Sequence, residues 1–376
     1  QAILAETTTG SYPYHMAART RSFASLWAVV SLCCCCFCSA SVAVEVNSAV
    51  GGEVAQTVRL NDGTEMPVLG FGTWKAKPGE VIEAVVSALR AGYRHIDAAH
   101  IYQNQKDVGE GLRQAFAAGL RREDVWVTSK LWMVDYAPER VGPAVDVLLA
   151  DLGLDYLDQV LLHWPVSYAH PPPGCPPDCP AEFKGTDTAL RPRDADGNMV
   201  QGDTPLPETW RVLEQAVEQG KVRSIGVSNF APSDLESVLA SARIRPAVNQ
   251  VECHPNWNQA SLKQWLEARN IQLVAYSPLG NPGLYQDEAN AMQSDAVKDI
   301  ARALGRTPAQ VILRWSLQRG NVVIPKSVTP SRIEKNGRVF DFKLSKEQMA
   351  TLDGLEQRRL ANPPIRAGGR RVFDEL

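Results

Sequence analysis

The stretch GYRHIDAAHIYQN, residues 92–104, contains a short apolar strand, His95–Asp97, that runs directly into a polar loop carrying Tyr102. Before it, residues 81–89 repeat apolar side chains at the spacing that puts them on one face of a helix. Further along, residues 141–152 show the same helical pattern. A short buried strand between amphipathic helices is the repeating unit of an α/β protein.

The same unit recurs along the chain. Alternation of strands and helices implies a parallel sheet, and eight units predict that the sheet closes into a (β/α)8 TIM barrel. The predicted barrel strands are Leu69–Thr73, His95–Asp97, Val125–Lys130, Gln159–His163, Ser224–Ser228, Ala247–Glu252, Gln272–Tyr276 and Asn321–Pro325.

Two segments before the first barrel strand predict an N-terminal β-hairpin. Thr57–Leu60 and Glu65–Val68 flank Asn61-Asp62-Gly63, and an Asp-Gly pair tolerates the positive φ that such turns need.

An open dinucleotide-binding sheet would need a glycine fingerprint. The best match, Gly70–Lys75, lacks the third glycine and does not open a helix at once, so we reject that fold.

Composition fits one large domain with extensions. The chain has 376 residues, whereas a β/α barrel needs about 250. The net charge of −3, from 39 basic and 42 acidic residues, gives no reason to expect a nucleic-acid partner.

Cys175 and Cys179 have no second ligand pair at zinc-site spacing, so we expect no metal. They form either a small disulfide or two free thiols in the long loop 166–207, which should overhang the active face.

The two ends of the chain resemble targeting signals. In the pre-sequence 1–43, a candidate initiator, Met16, is followed by basic residues, an apolar run at 23–38 and small residues, as in a secretory signal peptide. A transit peptide or an anchor is the alternative, although the run is short for a membrane span. The end Phe373-Asp374-Glu375-Leu376 resembles an ER-retention signal. We therefore expect the ER lumen, with the cytoplasm or another organelle as alternatives. Between these ends, we assign a linker (44–56), the barrel (57–353) and a C-terminal tail (354–376).

Four polar side chains follow the ends of neighbouring predicted strands. They are Asp97 and Tyr102 after the second strand, Lys130 at the end of the third and His163 at the end of the fourth. Taken singly, they would be a helix cap, a packed phenol, a solvated lysine and a core histidine. Because the working groups of such barrels lie at the C-terminal ends of strands, their convergence on one rim favours a catalytic site.

Four sequence blocks resemble those of the aldo-keto reductase family. They are residues 92–104, LLHWP at 161–165, GVSNF at 226–230 and IPKSVTPSRI at 324–333. The resemblance covers Thr57 to Leu352, with the blocks in the family's order. It implies NADPH-dependent reduction of aldehydes or ketones to alcohols. It also implies a small-molecule carbonyl substrate and a monomer, as family members often are.

The resemblance assigns roles to the four polar residues. Tyr102 would be the acid that protonates the carbonyl oxygen, and Lys130 would lower the pKa of that acid. Asp97 would hold Lys130 by a salt bridge, and His163 would orient the carbonyl group. The predicted substrate pocket is lined by Trp74, Trp132, His163 and Trp164.

NADPH binding follows from the same resemblance. Tyr276 would stack on the nicotinamide ring, and two cations, Lys326 and Arg332, would hold the 2′-phosphate that distinguishes NADPH from NADH. Lys335 stands where many relatives carry a Glu that contacts adenine, so that contact is not carried over. The predicted cofactor residues are Thr73 and Trp74; Ser228, Asn229 and Gln250 at the carboxamide; Tyr276, Ser277 and Leu279 from the ring to the pyrophosphate; and Lys326, Ser327, Val328, Thr329, Arg332 and Asn336 at the adenosine end.

Three other interpretations share some of these features. A short-chain dehydrogenase pairs Tyr and Lys at the spacing of Tyr102 and Lys106, but it needs an N-terminal glycine-rich loop that this sequence lacks. A non-catalytic NADPH-binding barrel, acting as a redox sensor or partner subunit, would have the same fold, because fold alone does not fix function. An NADP-dependent alcohol dehydrogenase would use the same site in the opposite direction.

Overall fold

The computed structural model describes residues 56–176, 178–185, 188–282 and 290–359, together with the backbone of 366–367 and 370–371. The predicted pre-sequence, nearly all of the predicted linker and the C-terminal tetrapeptide lie outside the described residues. Everything described belongs to the compact unit Val44–Leu376. Within it, no described helix has the length and apolar character needed to cross a membrane.

The predicted N-terminal hairpin is present. It consists of β1 (Thr57–Arg59) and β2 (Glu65–Pro67), which pair antiparallel. In the turn, Asn61 Nδ2 donates to the carbonyl oxygens of Pro246 and Asn270 at 2.8 and 3.0 Å. Those two residues precede the sixth and seventh barrel strands, so the hairpin covers the N-terminal end of the barrel. Its apolar side chains pack against the barrel interior.

Eight parallel strands form one sheet in the order in which they occur along the chain. They are β3 (Phe71–Gly72), β4 (His95–Asp97), β5 (Trp126–Leu131), β6 (Leu157–Leu162), β7 (Val222–Ser228), β8 (Val248–Glu252), β9 (Gln272–Tyr276) and β10 (Val322–Val323). Leu69, just before β3, pairs with Val323 of β10. The Gly70 amide donates to the Val323 carbonyl at 2.8 Å. The first and last strands are therefore joined, and the prediction of a closed (β/α)8 barrel is confirmed.

The strand positions agree with the prediction, but several ends differ. At the closing seam, β3 and β10 contain two residues each, fewer than Leu69–Thr73 and Asn321–Pro325. There, single backbone hydrogen bonds such as Gly72 to Pro325, at 3.0 Å, continue the pairing beyond the regular ladder. Such contacts hold the seam but leave no periodic pattern in the sequence.

Helices surround the barrel and bury one face each. They are α1 (Glu80–Arg90), α2 (Gln105–Ala117), α3 (Pro138–Leu152), α4 (Leu206–Glu218), α5 (Pro232–Leu239), α6 (Ala260–Glu267), α7 (Asp295–Leu304), α8 (Pro308–Gln318), α9 (Pro330–Gly337) and α10 (Lys346–Asp353). In α1 the buried residues include Val81, Val85 and Leu89, as the helical spacing predicted. In the tail, β11 (Arg366–Ala367) and β12 (Arg370–Arg371) pair antiparallel.

The longest connection was predicted at 166–207 and runs from β6 to α4. Its described part contains one turn of 3-10 helix, Ala181–Phe183. It also contains a disulfide between Cys175 and Cys179. Of the two alternatives that the sequence left open for these cysteines, the structure has the disulfide.

A buried carboxylate ties together the N-terminal ends of three strands. Asp158, in β6, accepts a hydrogen bond from the backbone amide of Val127 at 2.9 Å. The same side chain accepts from Arg122 at 2.8 Å and from Arg223 at 3.0 Å. Val127 lies in β5 and Arg223 in β7. Asp158 therefore stabilises the barrel at the end opposite the predicted site.

Replacement of Asp158 with Ala should lower the free energy of unfolding by about 3 kcal/mol, because the Val127 amide and the partly buried guanidinium of Arg122 lose their acceptor. Asp155→Ala changes an exposed carboxylate in the preceding turn. As the matched control, it should stay within about 0.5 kcal/mol of the wild type. Urea denaturation followed by circular dichroism measures both variants, and equal losses would contradict the role given to Asp158.

Candidate active site

Neighbouring strands bring three polar side chains to the C-terminal end of the barrel. Asp97 is the last residue of β4, Lys130 lies near the end of β5, and His163 directly follows β6. These strands are adjacent and parallel, so their last residues lie side by side. Tyr102 is supplied by the 3-10 turn His100–Tyr102 that follows β4.

Lys130 and Asp97 form a buried ion pair. Lys130 Nζ lies 2.6 Å from Asp97 Oδ1, and the two side chains are 0% and 2% exposed. The ammonium also donates to the carbonyl oxygen of Ala98 at 2.9 Å and to the hydroxyl oxygen of Tyr102 at 3.2 Å. An ammonium has three hydrogens to donate, and three oxygens accept them here. The pair therefore fixes the position of the phenol.

Burial and the neighbouring carboxylate keep the phenol protonated. Burial raises the pKa of Tyr102 well above its ordinary value, and the carboxylate of Asp97 adds to the rise. Burial also lowers the pKa of Lys130, against the opposing effect of Asp97. Burial and Asp97 set the net direction of the shift, and the lowering of the Tyr102 pKa by Lys130 stays a prediction. The lysine charge is balanced by Asp97, so loss of solvent around the phenol dominates.

His163 lies in a shell of aromatic rings beside the phenol. The centre of its ring is 5.9 Å from that of Tyr102 and 5.3 Å from that of Trp132, both edge to face, and it stacks on Trp164 at 6.2 Å. Burial lowers the pKa of His163 well below its ordinary value, and the charge of Lys130 lowers it further. The imidazole is therefore neutral at pH 7 and carries one N–H that can be donated.

Polar side chains at the ends of β7, β8 and β9 are joined by hydrogen bonds. Asn229 Nδ2 donates to the Ser228 hydroxyl at 3.1 Å and to the His163 carbonyl at 3.0 Å. Asn229 Oδ1 accepts from the Tyr276 hydroxyl at 2.8 Å, and the Ser228 hydroxyl donates to the Gln250 carbonyl at 2.8 Å. The residues predicted to hold the carboxamide are thus close together and are held in place by one another.

Gln250 links this polar group to the ion pair. Its Nε2 donates to Asp97 Oδ2 at 2.8 Å, while Lys130 binds the other carboxylate oxygen. The sequence predicted only a cofactor contact for Gln250 and missed this one. The two residues are 153 positions apart, so no local pattern connects them, and only the closed barrel brings them together.

Asn104 was also missed, although it closes the sequence stretch that decided the fold. Its Nδ2 donates to the carbonyl oxygens of Thr73 and Ala76 at 3.0 and 3.1 Å. These carbonyls belong to the loop after β3 that carries Trp74. Asn104 therefore ties that loop to the turn that supplies Tyr102. The available signal was a short polar residue two positions after Tyr102, at the end of a recognisable motif.

The predicted adenosine end lies between β10 and α9. Lys326 and Arg332 are exposed, and neither forms a salt bridge within the described part of the chain. Thr329 precedes the first turn of α9, which begins with Pro330 and in which the Arg332 amide donates to the Thr329 carbonyl at 3.0 Å. Asn336, also on α9, is buried. The other predicted cofactor residues follow strand ends: Ser277 and Leu279 after β9, and Ser327 and Val328 after β10.

Lys106 does not share this site. Its side chain is 85% exposed, and its Nζ lies 3.8 Å from Asp151. The lysine that contacts the Tyr102 hydroxyl is Lys130. The Tyr-Lys arrangement of a short-chain dehydrogenase is therefore not formed.

Comparisons with known proteins agree with this fold. The profile of the aldo/keto reductase family matches residues 68–357. Aldo-keto reductase family 1 member A1 of Rattus norvegicus is 44% identical over 324 residues, which cover 85% of this chain and 95% of that protein. The Homo sapiens protein of the same name is 43% identical with the same coverage. A solved structure of the aldose reductase from Schistosoma japonicum matches with a TM-score of 0.72 at 39% identity, covering 81% of this chain and 93% of the other.

The barrel, its polar cluster and these relatives define one class, an oxidoreductase that acts on carbonyl groups. The chain belongs to the aldo/keto reductase family. The family predicted from four sequence blocks is therefore confirmed.

Asp97→Asn should lower the free energy of unfolding by about 3 kcal/mol at pH 7, because the buried ammonium of Lys130 loses its counter-ion. Asp97 opposes the lowering of the Lys130 pKa by burial. In Asp97→Asn the pKa of Lys130 should therefore be lower still. When folding lowers the pKa of a lysine, the folded protein gains stability as the pH rises from that lowered pKa towards the pKa in the unfolded chain. The deficit should therefore shrink between pH 7 and pH 9.

The double variant Asp97→Asn/Lys130→Met provides the control. Removing the lysine charge as well should restore part of the lost stability, because no unpaired buried charge remains. Urea denaturation of the wild type, both single variants and the double variant measures the coupling. Strictly additive losses, or a deficit that grows with pH, would show that the two side chains do not stabilise each other.

Proposed function

We propose that the protein reduces aldehydes and ketones to alcohols with NADPH, using Tyr102 as the acid. The observation that carries this proposal is the buried contact of Lys130 with both Asp97, at 2.6 Å, and the Tyr102 hydroxyl, at 3.2 Å. A protonated phenol, a neutral imidazole and a fixed cation then lie at the rim of a barrel that belongs to a carbonyl oxidoreductase family.

The phenol is suited to donate a proton. Its raised pKa means that Tyr102 enters the reaction protonated. NADPH, when bound, supplies a hydride to the carbonyl carbon. The Tyr102 proton passes to the carbonyl oxygen, which completes the alcohol and leaves a tyrosinate. The Lys130 ammonium stabilises that anion by an amount on the order of a few kcal/mol at this distance, and water returns the proton after product release.

His163 orients the carbonyl group. Because its imidazole is neutral, it donates a hydrogen bond without delivering a second positive charge. Its ring is enclosed by Trp132 and Trp164, which leaves it few alternative orientations. A fixed donor beside the acid places the carbonyl oxygen between Tyr102 and His163, and fixed placement of reacting groups is a large part of catalysis.

The residues at the other strand ends fit a nicotinamide dinucleotide phosphate. Gln250 presents an amide next to the ion pair, and the partly buried Tyr276 is the last residue of the neighbouring strand, β9. Lys326 and Arg332 form no salt bridge with a described residue and flank the N-terminus of α9. Two cations at the N-terminal end of a helix suit a phosphate group. This supports NADPH over NADH.

The relatives narrow the substrates to be tested. The Schistosoma japonicum protein is named an aldose reductase, so sugars with a free aldehyde join simple and aromatic aldehydes in the first panel. The apolar side chains of Trp132 and Trp164 around His163 favour substrates with an apolar or aromatic body. A non-catalytic NADPH-binding barrel is the second candidate, because it would keep the same fold. Steady NADPH consumption with any of these aldehydes excludes it.

Tyr102→Phe should reduce kcat for aldehyde reduction at least about 100-fold, since the acid is lost. The Kd of NADPH, measured by fluorescence titration, should stay within about threefold, since the ring remains in place. Tyr156→Phe removes a phenol hydroxyl from a ring that contacts Arg122, before β6 at the opposite end of the barrel, and serves as the control. Near-normal turnover of Tyr102→Phe would overturn the assignment of the acid.

Arg332→Ala should raise the Kd of NADPH at least about tenfold, or about 1.4 kcal/mol. The Kd of NADH should change less than about twofold, because NADH lacks the 2′-phosphate. Arg338→Ala is the control, since Arg338 follows the C-terminal end of α9 and pairs with Glu334. Equal weakening of both cofactors by Arg332→Ala would contradict the phosphate contact.

A further inference from the structure

The loop between β6 and α4 has a small apolar core of its own. We call residues 166–205 the clasp loop. Its disulfide partners Cys175 and Cys179 are buried together with Phe183, and the partly buried Ala169 and Val200 pack against them. This cluster is separate from the main core of the barrel. The disulfide therefore forms the centre of a local structure that belongs to the loop alone.

Backbone hydrogen bonds extend from this small core to a turn at 188–191. Ala169 donates to Val200 at 3.1 Å, and Val200 donates to Pro192 at 2.9 Å. On the other side of the core, the Gly185 amide donates to the carbonyl of Arg193 at 3.0 Å. The turn that contains Leu190 is thus held on both sides by segments packed on the disulfide.

The turn contacts the wall of the active site. Trp132 Nε1 donates to the carbonyl oxygen of Leu190 at 2.5 Å. The ring of Trp132 lies edge to face with His163 at 5.3 Å. At the base of the loop, the Tyr168 amide donates to the carbonyl of Met133 at 3.0 Å. The clasp loop therefore contacts the imidazole's neighbour Trp132 through Leu190. Tyr168, Leu190 and Met199 also pack with the main core.

We propose that the Cys175–Cys179 disulfide is a determinant of substrate specificity. It holds the clasp loop so that Leu190 fixes Trp132 against His163, and its loss loosens the pocket wall without touching the cofactor residues. This inference rests on the proposed function. The bridge spans only four positions, and a short closed loop restricts the unfolded chain less than a long one does. Its main effect is therefore local.

The test compares full-length wild type with Cys175→Ser/Cys179→Ser, using NADPH with a bulky aromatic aldehyde and with propanal. KM for the aromatic aldehyde should rise about tenfold, because a displaced wall misplaces a substrate that leans on it. The Kd of NADPH should stay within about twofold, because the predicted cofactor residues follow other strand ends. The fall in kcat/KM should be much smaller for propanal than for the aromatic aldehyde, because propanal has no ring to pack against Trp132 and depends only on the orientation of His163. An unchanged KM for the aromatic aldehyde overturns the proposal.

Dithiothreitol provides a second measurement on the native chain. Its two thiols become a cyclic disulfide as two electrons and two protons pass to Cys175 and Cys179. Reduced wild type should show the same rise in KM, whereas the double Ser variant should not respond. A response of equal size in both proteins would assign the effect to other cysteines and overturn the proposal.

Trp132→Phe separates positioning from a general structural role. This variant keeps an aromatic ring but cannot donate to Leu190. If the disulfide acts through that hydrogen bond, removing the two cysteines in the Trp132→Phe background should change KM less than about twofold further. A full additional rise contradicts the proposed route. Wild type that consumes no NADPH with either aldehyde overturns the proposed function itself, and the specificity proposal with it.

Discussion

The structure of the site depends on an ammonium group buried inside a barrel. Lys130 is fully enclosed, and its charge is stabilised only because Asp97 lies 2.6 Å away. Removing two charges from water is costly unless further hydrogen bonds complete the arrangement. Here Ala98, Tyr102 and Gln250 complete it. The carboxylate balances the ammonium, so the adjacent phenol keeps its proton. The cluster therefore places the protonated phenol of Tyr102 beside the Lys130 ammonium, which stabilises the phenolate that forms when the proton leaves.

The strand residues of this cluster are far apart in the sequence, and the barrel brings them together. Parallel neighbours in register place the ends of β4, β5 and β6 next to one another, and the ends of β7 to β9 continue the same rim. Closure through Leu69 and Val323 then brings the two halves of the rim face to face. Gln250 can therefore reach Asp97. The closed sheet is what turns separate strand ends into one site.

Much of this was open to prediction from the sequence. Short apolar runs located all eight barrel strands, and helical spacing located α1 and α3. Two motif blocks contain Asp97, Tyr102 and His163, whereas Lys130 was found as the polar residue at the end of a predicted strand. The sequence did not show how neighbours modify these groups. It suggested a lysine that lowers the phenol pKa, and it did not show that burial and Asp97 raise that pKa. The hydrogen bond from Trp132 to Leu190 joins residues 58 positions apart. Leu190 lies in an irregular loop, where neither periodicity nor a motif predicts the contact.

The central claim is that Tyr102 and His163 converge on one carbonyl oxygen beside a nicotinamide ring. A crystal structure of the protein with NADP⁺ and a carboxylate that mimics the carbonyl substrate tests this claim most directly. The account predicts a ligand oxygen within about 3.2 Å of both the Tyr102 hydroxyl and a ring nitrogen of His163. It also predicts that Lys130 still contacts Asp97. A ligand bound away from this rim, or a nicotinamide ring that does not reach Tyr102, would contradict it.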